Sequence, residues 1–365
     1  MKWYSITDNN IDVYGMDRHF ERLPESVAKS VSEAVAGAYN ITAGGRIRFA
    51  TNTKNIAIRA DVLEHRDVGF DLYRVDGNRE FFSVGFRNIE YFICKGQFEA
   101  VNRLSDGTEV LNYTLNFPYA AKFASFYLGI DDDAVLLPGA RYINEKPVVF
   151  YGSSITHGAW ASRPGVTYEA MISQKYNLNY LNLGFSGAAR GEKEIAEYMS
   201  GLNMCAFVCD YDHNANDCNE LKNTHLNLYT TIRAAHPDIP YIIITKPDYF
   251  SNPTENRKRQ NIITKTYEYA LDNGDKKVYF IDGKTLFDGE FYHNCTKDGL
   301  HPNDIGFYRM QEVIGSVLAE ALSLNKSLKH DTLSEKSPLS ATPIRQALGG
   351  SNFMKNSKYL NFEGE

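Results

Sequence analysis

The sequence predicts an α/β protein: a three-layer αβα domain on a parallel sheet, preceded by an N-terminal β-sandwich of jelly-roll type. Between residues 45 and 131, short β-rich segments alternate apolar with polar side chains, the spacing of an antiparallel sheet with one wet face. After Pro138-Gly139 the pattern changes to strand, turn and helix in repeated succession, with apolar runs that suit strands buried on both faces. A chain of 365 residues is also too long for one ordinary core and suits two.

Taken in order, the first region yields expected strands at 46–50, 55–59, 70–75, 80–84, 91–94, 108–115 and 124–128. They are rich in Ile, Val, Phe, Tyr and Thr, and turn-forming Gly, Asn, Asp and Pro lie between them. Downstream, strands are expected at 148–151, 180–183, 206–211, 241–245 and 278–281, with helices at 168–176, 192–199, 218–235, 257–273 and 302–322. Strands alternating with helices demand right-handed crossovers, which coat a parallel sheet with helices. From about residue 326 periodicity is lost, and the remainder reads as a tail. The expected limits are therefore 1–140 for the sandwich, 141–325 for the α/β domain and 326–365 for the tail.

Composition narrows the function. With 43% hydrophobic and 23% charged residues the chain reads as an ordinary soluble globular protein. A formal charge of −6 provides no basic stripe to neutralise phosphates, which argues against a nucleic-acid partner. The N-terminus lacks a signal-like apolar stretch and no run of about 18 apolar residues occurs, so no membrane partner is expected. As written the chain reads as cytoplasmic, or as periplasmic or secreted if a leader was removed. Cys94, Cys205, Cys209, Cys218 and Cys295 are odd in number and form no Cys-x-x-Cys pair, so neither a disulfide framework nor a thiolate metal site is indicated. The 24 Tyr and 21 Phe suit sugar-facing clefts as well as sandwich cores. Nothing in the pattern specifies an oligomeric state.

Two strings mark a hydrolytic site. After the first strand of the parallel sheet comes Gly152-Ser153-Ser154-Ile155-Thr156-His157-Gly158, and far downstream Asp298-Gly299-Leu300-His301-Pro302. A strand that ends in a Gly-rich turn presents a hydroxyl at the carboxyl edge of the sheet, where open α/β folds bind ligands. An Asp and a His three apart can share one imidazole, the carboxylate holding the tautomer that accepts a proton from serine. Ser154 is the expected nucleophile; Ser153 competes with it, because spacing alone does not separate them. Further strings follow the second and third strands, Asn182-Leu183-Gly184-Phe185-Ser186-Gly187 and Asp210-Tyr211-Asp212-His213-Asn214-Ala215-Asn216. The N–H of Gly187 and the amide of Asn214 could supply donors where a carbonyl oxygen turns negative. Each string alone also reads as an ordinary turn, Gly187 entering a helix and Asn214 capping one. Their succession after strands one, two, three and the last is what joins them.

Together these strings resemble the four blocks of the SGNH hydrolases, also called GDSL-type esterases and lipases. The closer resemblance is to a branch whose nucleophile block runs on through Ser162-Arg163-Pro164-Gly165 and whose N-terminal β-sandwich carries Gly-x-Asp-Leu-Tyr, here Gly69-Phe70-Asp71-Leu72-Tyr73. It covers about residues 3 to 324. The resemblance implies a flavodoxin-like catalytic domain and a serine esterase for short acyl or acetyl esters on small molecules or oligosaccharides. It implies that Ser154 attacks, that His301 acts as base and then acid, and that Asp298 orients His301. The N–H groups of Ser154 and Gly187 and the amide of Asn214 would form the oxyanion hole, with no metal or organic cofactor. Ser153 stands where the superfamily usually has Asp. The third block lacks the common Gly-x-Asn-Asp, which leaves Asn214 and Asn216 as alternatives. Arg163 is a candidate for binding a polar or anionic part of the substrate, or else a loop salt bridge.

Two rival readings remain. A metal-dependent hydrolase would use Asp210, Asp212 and His213 with His157, His293 and His301. A non-catalytic carbohydrate-binding protein would work through the aromatic sandwich, against which the intact Ser154, Asp298 and His301 argue.

Overall fold

Alternating apolar positions in the first part of the chain build two antiparallel sheets that face each other. The computed structural model describes residues 1–65, 69–86, 95–247 and 252–324. In chain order the first elements are β1 (Lys2–Ser5), β2 (Asp12–Tyr14), α1 (Glu25–Val31), α2 (Glu33–Ala36), β3 (Arg46–Thr51), β4 (Asn55–His65) and β5 (Phe70–Asp76). There follow β6 (Arg79–Phe86), β7 (Gly96–Arg103), β8 (Leu111–Asn116), β9 (Ala121–Ile130) and β10 (Leu136–Pro138). One sheet runs β1-β9-β4-β7; the other runs β10-β3-β8-β5-β6, with β2 added on β3. Ile47, Leu72 and Leu115 from one face meet Ile56, Ile58 and Leu128 from the other. Phe70 lies among them, with ring centroids 5.1 Å from Phe117 and 5.6 Å from Phe126. The strand expected at 91–94 and the tail from 326 lie outside the described residues.

The second part holds β11 (Asn144–Gly152), α3 (Ser154–His157), α4 (Tyr168–Tyr176), β12 (Leu178–Gly184), α5 (Lys193–Ser200), β13 (Ala206–Asp210) and α6 (Cys218–Ala235). It closes with β14 (Tyr241–Ile244), α7 (Pro253–Asp272), β15 (Val278–Ile281) and α8 (Asp304–Ala321). The five strands are parallel and ordered β12-β11-β13-β14-β15. This is the doubly wound order whose switch point lies beside the first strand. Helix bounds follow capping chemistry. Thr167 accepts the N–H of Ala170 to start α4, and Asn177, at φ 48°, ends it. Asp217 caps α6 through the N–H groups of Asn219 and Glu220. The last helix begins at Asp304 rather than at Pro302, because the Asn303 side chain takes the N–H groups of Ile305 and Gly306.

The two parts interlock. Helices α1 and α2, placed early in the chain, bring Ala28 and Val35 into the apolar core of the α/β layer beside Ile195 and Met199. Among the described residues strand β12 pairs with β11 alone, which leaves the carbonyls along its outer side in need of donors. Three arginine contacts supply them. Buried Arg46 donates to Tyr180 O at 3.1 Å, and buried Arg22 donates to Asn182 O and Gly184 O, each at 2.9 Å. The arginines of β3, which alternate like a wet face, are thus dry: Arg46 also meets Asn179 Oδ1 at 2.7 Å, and Arg48 meets Asn177 Oδ1 at 3.0 Å.

Candidate active site

β11 delivers its last residues to the carboxyl edge of the sheet, and the chain turns there into α3. Ser153 is fully buried as the cap of this short helix: its Oγ accepts the N–H of Ile155, and its own N–H donates to Asp210 O at 3.1 Å. Ser154 is the next residue, and its Oγ lies 2.9 Å from His301 Nε2. The backbone thereby separates the two serines that spacing left equivalent.

His301 sits in a turn closed by a bridge between Thr296 and Pro302 and followed by the cap of α8. Its Nδ1 is 2.7 Å from Asp298 Oδ2, while Asp298 Oδ1 accepts the N–H of Leu300 at 3.0 Å and of His301 at 2.8 Å. Partial burial would raise the Asp298 pKa, but the hydrogen bonds from His301 and Leu300 outweigh it and hold the carboxyl down at about 2. An ionised carboxylate can only accept, so Nδ1 carries the proton and Nε2 is left to accept from the Ser154 hydroxyl.

Three turns at this edge are tied to one another. Phe185 N donates to Gly152 O at 2.9 Å, and Asn214 Nδ2 donates to Phe185 O at 2.8 Å. Gly187, two residues beyond Phe185, adopts φ 72°, a left-handed conformation that glycine takes without strain. Asn216 is turned instead toward Glu220, with Nδ2 3.3 Å from Oε1. Of the two asparagines, only Asn214 bonds to the turn that carries Gly187.

Arg163 is engaged with the sandwich. Its Nη1 donates to Tyr73 Oη at 2.7 Å and lies 3.6 Å from Asp71 Oδ2, and its guanidinium stands 4.1 Å from the Phe82 ring centre. Of its two sequence readings, this is the geometry of the loop salt bridge. The Gly-x-Asp-Leu-Tyr string and the loop beyond Ser154 are in fact one contact. Asp71 Oδ2 accepts the N–H of Gly165 at 2.9 Å, and a side chain on Gly165 would place its first carbon 2.4 Å from Tyr73 Oη. The far side of the loop is held too, by Ser162 N donating to Asp304 Oδ1 at 2.8 Å.

The residues of the metal reading do not gather. His157 binds Ser186 Oγ at 2.8 Å and Tyr119 O at 2.9 Å, and His293 is exposed, packed edge-on against Tyr292. Among the described residues no group of three or more His, Cys, Asp and Glu side chains is placed to hold an ion. No helix there is long and apolar enough to cross a membrane.

A sandwich bonded to a doubly wound sheet, with serine, histidine and aspartate in series at the carboxyl edge, defines a class of hydrolases. Sequence profiles agree: residues 145–319 match the GDSL-like lipase/acylhydrolase family, and residues 1–136 match the N-terminal region of SGNH-type esterases. The chain belongs to this SGNH (GDSL-type) hydrolase family, in the branch with the Gly-x-Asp-Leu-Tyr sandwich, and is a carboxylic ester hydrolase. A candidate GDSL-like lipase from Bacteroides ovatus ATCC 8483 is similar at 27% identity and TM-score 0.78, over 88% of this chain and 98% of that one. A salicylyl-acyltransferase from a tetracycline biosynthetic pathway shares the fold at 18% identity and TM-score 0.70, over 87% and 97%. An acetyl xylan esterase from Butyrivibrio proteoclasticus does so at 12% identity and TM-score 0.59, over 89% and 100%. No curated protein matches the chain significantly.

Proposed function

We propose that this hydrolase is a serine esterase that removes short acyl groups, acetyl foremost, from carbohydrates. The observation that carries the reading is the continuous hydrogen-bonded series Ser154 Oγ, His301 Nε2, His301 Nδ1 and Asp298 Oδ2, at 2.9 and 2.7 Å. Ser154 Oγ attacks the ester carbon as its proton passes to His301 Nε2. The carbonyl oxygen becomes an oxyanion, received by the N–H groups of Ser154 and Gly187 and by the amide of Asn214. Collapse expels the alcohol, which takes the proton from His301. Water then repeats the sequence on the acyl-serine and releases the acid. Arg163 enters as a positioning residue for the loop beyond the nucleophile.

Acetyl and carbohydrate are suggested by the family and by the fold shared with an acetyl xylan esterase. Exposed Trp160, with Lys297 Nζ 3.6 Å from its ring centre, offers an aromatic surface between the nucleophile loop and the Asp298 turn. The test is a panel of acetylated sugars, longer acyl esters and aryl acetates, assayed with the wild type beside Ser154→Ala. Preference for acetylated sugars, lost in the variant, supports the reading; activity on longer acyl esters alone overturns its substrate part.

A further inference from the structure

His157 closes α3 three residues beyond Ser154, fully engaged yet outside the proton path. Its Nε2 lies 2.9 Å from the carbonyl oxygen of Tyr119, in the sandwich loop between β8 and β9. A carbonyl only accepts, so Nε2 carries the ring proton, and Nδ1 is an acceptor for the hydroxyl of Ser186 at 2.8 Å. Ser186 is exposed and directly precedes Gly187. The other end of that turn is pinned through Phe185 O, which accepts from Ala188 N, Ala189 N and Asn214 Nδ2. The tip has its own anchor in Ser186.

We infer that His157 is a positioning residue for the oxyanion hole: it ties the Ser186–Gly187 tip to the Tyr119 loop and so fixes where the Gly187 N–H points. The inference rests on the esterase reading above. Burial first, and the nearby Arg22 charge second, hold the His157 pKa down at about 3, so the ring keeps one proton and one tautomer at ordinary pH. The sandwich is held against this spot a second time, by Trp160 N donating to Tyr119 Oη at 3.2 Å. A donor that acts on developing charge must be in place before reaction, and a displacement of about 1 Å can cost on the order of 100-fold. The tie therefore affects the transition state more than ground-state binding.

The experiment measures kcat and KM, on the ester of the panel that the wild type hydrolyses fastest, for Ser186→Ala, His157→Ala, His157→Gln and the Ser186→Ala/His157→Ala pair. Ser186→Ala cuts one end of the tie at an exposed position and should lower kcat by on the order of 10-fold or more, with KM nearly unchanged. His157→Ala should do the same, and the pair should be no worse than the poorer single variant, because both act through one link. His157→Gln, which can donate to Tyr119 O and accept from Ser186, should recover part of the loss. Should His157→Ala fail to fold, Ser186→Ala decides alone. A wild-type kcat in Ser186→Ala, or fully additive losses, overturns the inference while leaving the esterase reading intact. Retained hydrolysis in Ser154→Ala, or no hydrolysis of any ester by the wild type, overturns the esterase reading itself.

Discussion

The N–H of Gly165 donates to the buried carboxyl of Asp71 at 2.9 Å, joining the loop beyond Ser154 to strand β5 of the sandwich. Oδ1 of the same carboxyl accepts from Asn116 Nδ2 at 2.9 Å. Two strings lying far apart in the sequence are one structural joint, and four of the predictions below turn on it or on the site it supports.

Replacing Gly165 with alanine should strain this joint, since the Tyr73 ring occupies the space the new methyl group needs. Overpacking of this kind costs about 1–3 kcal/mol. Tyr73→Ala in the same chain should relieve part of the strain, so the two losses should sum to more than the pair shows in urea denaturation. Additive losses would mean that the ring is not what excludes the side chain.

Asp71 also gives stability a pH dependence. Burial raises its pKa from 3.8 to about 6, against the opposing hydrogen bonds from Asn116 and Gly165 and the Arg163 charge. The folded protein therefore holds this proton where the unfolded chain has lost it. The contribution is full below about pH 4 and is lost as pH rises through 6, a swing on the order of 3 kcal/mol. Unfolding free energies of wild type and Asp71→Asn, measured from pH 4 to 8, should differ by that slope.

Ser154→Ala and Ser153→Ala should fail in different ways. The first should lower kcat by roughly 1,000-fold or more with stability nearly unchanged. The second removes a helix cap and should cost about 1 kcal/mol of stability while much of the activity persists. Matched kcat values and denaturation midpoints distinguish the two; comparable activity in both variants would remove Ser154 from its assigned role.

Asp298→Asn should lower kcat by about 10,000-fold, because an amide can hold the His301 ring in the wrong tautomer. With its carboxyl held at about 2, Asp298 stays ionised down to strongly acid pH. The acid-side fall in wild-type activity should then carry the slope of a single proton, with no contribution from Asp298. A fall with the slope of two protons would place a second group in the step.

Arg22→Ala should leave Asn182 O, Gly184 O and Ala38 O without the donors they have now. Each buried carbonyl left bare costs about 1–3 kcal/mol, so a loss of at least 3 kcal/mol is expected in chemical denaturation. Bared edge carbonyls can also pair with another chain, which gel filtration would report as association.

Much of this was legible in the sequence where local chemistry writes the boundary. The bounds 168–176 and 218–235 agree with α4 and α6, whose caps Thr167, Asn177 and Asp217 stand in the sequence. Helices α1 and α2 were not legible: at seven and four residues they are too short to display a period, and they are stable by packing on the α/β core. Arg46 and Arg48 read as the wet side of β3, since nothing local announces the layer that covers them. The same holds at the site. Ser154, Asp298 and His301, which the geometry brings into one series, stand in short strings, whereas His157 entered the sequence reading only through the rival metal alternative, because its partners Tyr119 and Ser186 lie in other loops.

The early position of α1 and α2 has a consequence for how the protein is made. Leu23, Ala28 and Val35 leave the ribosome before any strand of the sheet they cover, and the sandwich strands β3 to β10 follow them. Their apolar sides stay uncovered until Ile195 and Met199 have also emerged. The helical segment therefore completes its packing only after the middle of the chain has been made, where it closes over the edge strand that Arg22 seals.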